Sequence, residues 1–307
     1  MSQSFHIRYL VNKEIDLQKW DNCIAPASNG LIYGYSYYLD TMSRHWDALV
    51  YGDYEAVMPL TWNKKYGVAY LYQPFLTAQL GVFGNELSAG LLQSFLDRIP
   101  SRFLYWDIYL NHQNNFPSDK YHLYPRRNFV LHLNKPYEEL SKSYRENTQR
   151  NIKKAIQLGC TVTADAPIEN VITLAVAQMR GYTKESTDNV DRFRNLYALL
   201  AEKKQAACYG ILSRRNELIA SCVFFFSHQR AYYILVGNHP DGRTLGASHM
   251  LIDAFIKDHA GRNLLLDFEG SDIRNLAFFY SSFGAVEENY TAIRLNRLPF
   301  YLRWAKK

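Results

Sequence analysis

Residues 243–248, Arg-Thr-Leu-Gly-Ala-Ser, follow an apolar aromatic run (231–237) and precede a helix-like segment (249–259). A glycine-bearing turn at a helix N-terminus presents main-chain N–H groups that the helix cannot pair, and the dipole there favours negative charge. Such a turn suits phosphates, with the N–H groups of Gly246, Ala247 and Ser248 as donors and Arg243 adding charge. The plainer reading is a helix start that uses glycine for its turn. In Leu-Leu-Leu-Asp-Phe-Glu-Gly (264–270), strand alternation predicts Asp267 and Glu269 on one face and Phe268 on the other. Two carboxylates on one face of an inner strand are costly to bury without a partner or a purpose. They point to a proton acceptor at Glu269, or to salt bridges with Arg243, Arg262 or Arg274. A third group is a stripe of Ile273, Leu276, Ala277, Tyr280 and Phe283, the spacing of a packed helix face, in which Tyr280 either packs or offers a phenol proton. Lys142, Arg145, Arg150, Lys153 and Lys154 fill half of a helical wheel over 137–158, either a solvated face or a strip for phosphates. His249 and His259 are too far apart to share a metal, and no His-x-x-x-His occurs, so no metal is expected.

The elements that must position these groups run strand, turn, helix, strand, helix, strand over 231–294. Ahead of them the pattern predicts a long helix (137–158) stopped by Gly159 and a strand (161–164). Helices over 170–180 and 190–203 and a three-strand meander (207–213, 218–226, 231–236) follow. The first half reads as a strand (5–11), a hairpin (47–52 with 55–62), an apolar run (69–75), a helix (86–99) and strands at 102–110 and 128–133. Asn134-Lys135-Pro136 punctuates the chain and predicts a boundary, giving domains 1–134 and 135–307. The two halves correspond in element order, as a duplicated α+β unit would.

Of the 307 residues 48% are hydrophobic and 21% charged, an ordinary globular balance with ample core material. The net charge of +6 is compatible with a polyanionic ligand without requiring one. Four cysteines without Cys-x-x-Cys spacing read as reduced thiols. Neither a secretion signal nor an apolar run of spanning length is evident, so a cytoplasmic protein without a membrane span is expected.

Over the residues singled out above, the chain resembles the GCN5-related N-acyltransferase superfamily. Arg243-x-x-Gly246-x-Ser248 is similar to its Arg/Gln-x-x-Gly-x-Gly/Ala loop. Asn275-x-Ala277-x-x-Tyr280-x-x-x-Gly284 is similar to its Asn…Ala…Tyr…Gly-Phe signature. Ser248, the Asn–Tyr spacing and Ala285 depart from the usual pattern. The resemblance implies that residues 243–248 and Asn275 hold acyl-CoA, that Tyr280 protonates the leaving thiolate, and that Glu269 takes the proton of an attacking amine. A tandem pair of such domains resembles the FemAB family of peptidyltransferases, which add amino acids to peptidoglycan precursors. Tyr144-Arg145-x-x-Thr148-x-Arg150-x-Ile152-Lys153-Lys154-Ala155-x-x-x-Gly159 is similar to the basic helix that opens that family's second domain. The implied fold is α+β: two tandem acyltransferase-like domains, each a mixed, largely antiparallel sheet flanked by helices. The first would be degenerate and the second would bind the donor. The implied activity is transfer of an acyl group from acyl-CoA, or a similar donor, to a small-molecule or peptide amine. Aminoacyl-tRNA-dependent transfer to a cell-wall precursor is the alternative; the basic helix favours it, and Tyr280, where a lysine is expected, counts against it. A binding protein that has lost catalysis is the third reading.

Overall fold

The computed structural model describes residues 6–179, 187–270 and 272–300, so Phe5, Arg180 and Ser271 of the expected elements lie outside the described residues. In chain order the strands are β1 (Ile7–Leu10), β2 (His45–Tyr51), β3 (Ala56–Lys65), β4 (Val68–Tyr72), β5 (Phe83–Gly84), β6 (Phe103–Tyr109) and β7 (Leu123–Arg126). There follow β8 (Phe129–His132), β9 (Thr161–Thr163), β10 (Ala206–Leu212), β11 (Leu218–Ser227), β12 (Arg230–Asn238), β13 (Leu265–Asp267), β14 (Val286–Glu287) and β15 (Tyr290–Asn296). The helices are α1 (Leu17–Ile24), α2 (Ser36–Met42), α3 (Ala89–Arg98), α4 (Tyr137–Lys142), α5 (Glu146–Gln157), α6 (Ile168–Met179), α7 (Thr187–Glu202), α8 (Pro240–Leu245), α9 (Ala247–His259) and α10 (Arg274–Ser281).

Two mixed sheets flanked by helices give the α+β class that the sequence predicts. One sheet has the order β1-β2-β3-β4-β6-β15-β7, with β5 on β3; the other has β14-β8-β13-β12-β11-β10-β9. Each is antiparallel but for one parallel pair, β4 with β6 and β12 with β13. The chain forms two compact units, Met1–Arg126 with Asn289–Lys307, and Arg127–Glu288.

That division corrects the boundary expected after residue 134. β8 belongs to the second sheet, where Val130, Leu131 and His132 pair with β13, and β15 belongs to the first, pairing with β6 from Ala292 to Asn296. The physical reason is that Asn134-Lys135-Pro136 only links β8 to α4, whereas burial of Leu131 in one core and Ile293 in the other assigns the strands.

Each unit has its own core. Phe95, Phe103 and Trp106 anchor the first, and Phe224, Phe255 and Phe283 the second. Phe224 and Phe255 stack with ring centroids 3.7 Å apart, and each buried ring contributes about 1.5–3 kcal/mol. α9 forms because Ala247, Leu251, Ile252, Phe255 and Ile256 fall on one helical stripe, which lies buried in that core.

The long helix predicted over 137–158 is instead two, α4 and α5. At Arg145 the backbone is extended (φ −64°, ψ 150°), and its N–H donates to the carbonyl of Ser282 (2.9 Å). A main-chain partner at the end of α10 thus replaces the partner a continuous helix would supply. The expected C-terminal cap does form: Gly159 adopts φ 77° and the Cys160 N–H returns to Ala155.

Candidate active site

β12 and β13 run side by side only from Arg230 with Leu265 to Tyr232 with Asp267, and then part. β12 continues to Asn238 against β11 alone, and its register slips so that Ile234 has no opposite residue, a β-bulge. The bulge resets the alternation of side chains. Tyr233, Val236 and Asn238 therefore face one cavity, where an unbroken strand would present Leu235 and Gly237 beside Tyr233.

The cavity holds about 570 Å³. α6 closes one side by lying directly on β12: a Cβ at Gly237 would come within 2.6 Å of the Ala175 nitrogen. This brings Gln178 to the cavity wall, where its side-chain oxygen accepts the Asn238 N–H (2.6 Å). α10 supplies Asn275, Leu276, Phe279 and Tyr280, and the start of α9 supplies Gly246, Ser248 and His249.

The segment expected to be an open phosphate loop is a helix junction, which corrects its form. α8 runs to Leu245, and Gly246, at φ 80°, turns the chain into α9. Glycine is required there for that φ and because a Cβ would lie 2.5 Å from the carbonyl oxygen of Asn151 on α5. The N–H groups of His249 and Met250 both return to the Gly246 carbonyl (3.1 and 3.2 Å), and no side chain caps this end of α9. Gly246 and Ser248 reach the cavity; Ala247 packs into the core instead, and the side chain of Arg243 lies outside the described residues. Ser248 Oγ donates to Asn238 Oδ1 (2.5 Å), tying α9 to the end of β12.

Tyr280 faces the same cavity, its ring stacked on Phe268 at 4.7 Å. The stripe that holds it is not wholly a packed face. Ala277, Tyr280 and Phe283 are buried, but Ile273 is 63% and Leu276 40% exposed. Burial, and then the charge of Glu269, raise the phenol's pKa above its ordinary value, so it stays protonated near neutral pH. Glu269 follows Phe268, the residue whose ring stacks on Tyr280, and it is not part of the cavity wall. Although part of the residue reaches solvent, its carboxyl is enclosed, and desolvation holds its pKa well above the usual carboxylate range.

The alternation expected to set Asp267 and Glu269 on one face stops short, because β13 ends at Asp267. Glu269 adopts φ 66°, which ends the strand pattern, and Asp267 pairs with Arg230 (2.6 Å), a partner the sequence reading did not name. The basic helix face is partly committed to the fold. Lys154 Nζ donates to the Thr244 carbonyl (2.8 Å), Arg145 lies over the Phe278 ring and Arg150 donates to Asn147.

Sequence reasoning missed Tyr233, Asn238 and Gln178, whose common orientation depends on the bulge and on helix–strand packing. It weighed His249 only as a metal ligand. Here burial lowers the imidazole pKa to about 4, so the ring is neutral against Phe279 and Phe283. Among the described residues no group of three His, Cys, Asp or Glu is placed to hold a metal, and no helix is long and apolar enough to cross a membrane.

Residues 142–272 match the model of the acetyltransferase (GNAT) domain family. Among solved structures, FemX is similar over 98% of this chain and 100% of its own, at 14% identity and a TM-score of 0.64. A conserved protein of unknown function from Bacteroides thetaiotaomicron VPI-5482 is similar over 94% of this chain and 100% of its own, at 12% identity and a TM-score of 0.59. L-PGS from Bacillus licheniformis shares 85% of this chain and 87% of its own, at 10% identity and a TM-score of 0.51. At such identities these three share the fold. No curated protein matches the chain in sequence.

Proposed function

We propose that the cavity between the parted strands takes an acyl-CoA, or a similarly activated acyl donor, and that the acyl group passes to an amine. The GNAT match supports an acyl or aminoacyl transferase in the broad sense. The observation that carries the finer reading is that one cavity has an uncapped helix start, Gly246 and Ser248, on one wall and the protonated Tyr280 on another.

The residues fit such a donor. First-turn N–H groups and the positive end of the α9 dipole suit its phosphates, and Asn275 adds a polar contact. Among the described residues of the wall none is Asp, Glu, Lys or Arg, and His249 is neutral. That interior suits an uncharged acyl group better than an α-ammonium, which favours acyl-CoA over an aminoacyl donor. In the transfer, the amine forms a C–N bond to the thioester carbon and the C–S bond breaks. Main-chain N–H groups of the bulged β12 polarise the carbonyl oxygen. Glu269 accepts the amine proton; desolvation raises its pKa above the usual carboxylate range, which makes the ionised form a stronger base. Tyr280, too weak an acid here to ionise, hydrogen-bonds the departing sulfur.

Thermal stabilisation by acetyl-CoA and longer acyl-CoAs, measured beside aminoacyl-tRNA, tests the donor. Acyl-CoA alone should raise the melting temperature, and Tyr280→Phe should leave that rise intact while slowing transfer. Stabilisation by aminoacyl-tRNA alone would replace this reading with the aminoacyl one. No response to either would leave a fold that binds something else.

A further inference from the structure

Arg230 and Asn128 grip Asp267, itself 2% exposed, at both carboxylate oxygens. Arg230 Nη1 donates to Oδ2 (2.6 Å) and Asn128 Nδ2 to Oδ1 (2.9 Å). Oδ1 also accepts the main-chain N–H of Glu269 (2.8 Å). The bond spans two residues, and it closes while Glu269 is left-handed (φ 66°) and Gly270 follows at φ 83°. A glutamate in that region is strained and persists only where its surroundings hold it. The grip is itself anchored, because Arg230 also donates to both carboxylate oxygens of Glu288 (2.8 and 3.0 Å). Asn128 and Glu288 lie where the chain enters and leaves the second unit, so its two ends are tied to the end of β13.

We propose that Asp267, fixed by Arg230 and Asn128, is a positioning residue: by capturing the N–H of Glu269 it turns that side chain off the Arg230 side of β13 and toward Tyr280. The inference deepens the catalytic reading above and rests on it for any effect on rate, though not for the geometry. In an unbroken strand Glu269 would stay on the face of Asp267, beside the Arg230 guanidinium, where a carboxylate is held ionised and is a poor base. Turned, its carboxyl is enclosed, one residue past the Phe268 ring that stacks on Tyr280 of α10, and Tyr280 is uncharged near neutral pH.

The test compares two substitutions by thermal melting. Asp267→Asn breaks the charge pair with Arg230 but keeps an oxygen for the Glu269 N–H, whereas Asp267→Ala removes both. Glu269→Gln is then added to each background and to the unmodified chain, and melting is measured at pH 8 and pH 4. In the unmodified chain, replacing an enclosed carboxyl by an amide should raise the melting temperature at pH 8 by about 2–4 °C and leave it unchanged at pH 4. We expect the rise to survive in the Asp267→Asn background and to vanish in the Asp267→Ala background. An equal rise in both backgrounds, or its loss in both, overturns the proposal. If Asp267→Ala does not fold, Arg230→Met with Asp267→Leu fills the buried volume and carries the same comparison. No substrate enters this measurement, so its failure is distinguishable from failure of the donor assignment. Where transfer is measurable, Asp267→Ala should lower kcat, leave KM for the donor alone, and move the acid limb of the pH profile toward the ordinary carboxylate range. An unmoved profile refutes the positioning role.

Discussion

Helices α3 and α9 hold the same station in their units, each lying in the chain between two parallel neighbours, β4 and β6 or β12 and β13. Their N-termini differ. α3 starts at Ser88, whose hydroxyl accepts the Leu91 N–H (3.2 Å), so its first turn is closed by its own chain. α9 starts at a left-handed glycine with no side-chain cap, and that end borders a cavity. The strand ends differ in the same sense. Past β6 comes Asn111, fully buried and neutral, donating to the Val82 carbonyl (2.9 Å), while past β13 comes the ionisable Glu269. One unit closes its helix start and strand end with its own neutral side chains; the other leaves its helix start uncapped at a cavity and ends its strand at an ionisable group. This is the physical content of the expectation that the first half lacks the phosphate role, which we propose here as the division of labour.

The sharpest way to break the comparison is at the strand ends. Glu269→Gln should slow transfer by about 10²–10⁴-fold, the usual worth of a general base. It should also stabilise the protein. A carboxyl with a raised folded-state pKa stays protonated where the unfolded chain ionises, so its cost appears above about pH 4.5 and grows as pH rises. The melting gap between variant and wild type should therefore open above that pH and close below it. Asn111→Ala, by contrast, should only destabilise, by about 1–3 kcal/mol, with donor binding unchanged.

At the helix starts, Gly246→Ala should cost about 1–3 kcal/mol, from the positive φ and the 2.5 Å approach to Asn151, and should weaken donor binding with it. Equal donor affinity in this variant would remove α9 from the site. His249 sharpens the contrast from the acid side. Its folded-state pKa is depressed, so stability should fall as pH drops from about 6.5 toward 4, where the unfolded imidazole takes a proton that the folded one refuses. His249→Phe should flatten that slope in melting curves. The smallest effect is Ser88→Ala, about 1 kcal/mol in stability and none in donor affinity; a change in affinity there would show that the first unit also touches the donor.

The patterns legible in the sequence were local ones. The meander over β10–β12, the hairpin β2–β3, the Gly159 cap and Gly246 as a required glycine all follow from alternation, turn residues and helix periodicity. The juxtaposition of Gly246, Ser248, Asn275 and Tyr280 about one cavity also agrees with motif order along the chain. Reading failed where a long-range contact competed with a local preference. Ser282 intercepts Arg145 and splits a helix, and Arg230 and Asn128 fix Asp267, which then takes the Glu269 N–H and ends the strand pattern.

What the sequence determined by itself was the inventory: which segments can be strand or helix, and which residues carry protons, charge or a free φ. Spacing along the chain sets those properties. Only the tertiary structure decided that β8 and β15 lie in different sheets from β7 and β14, that Ile234 bulges, and that Arg230 and Asn128 hold Asp267 where β13 ends. Each of these depends on hydrogen-bond partners more than thirty residues away or on a single inserted residue. A two-residue period carries no record of either.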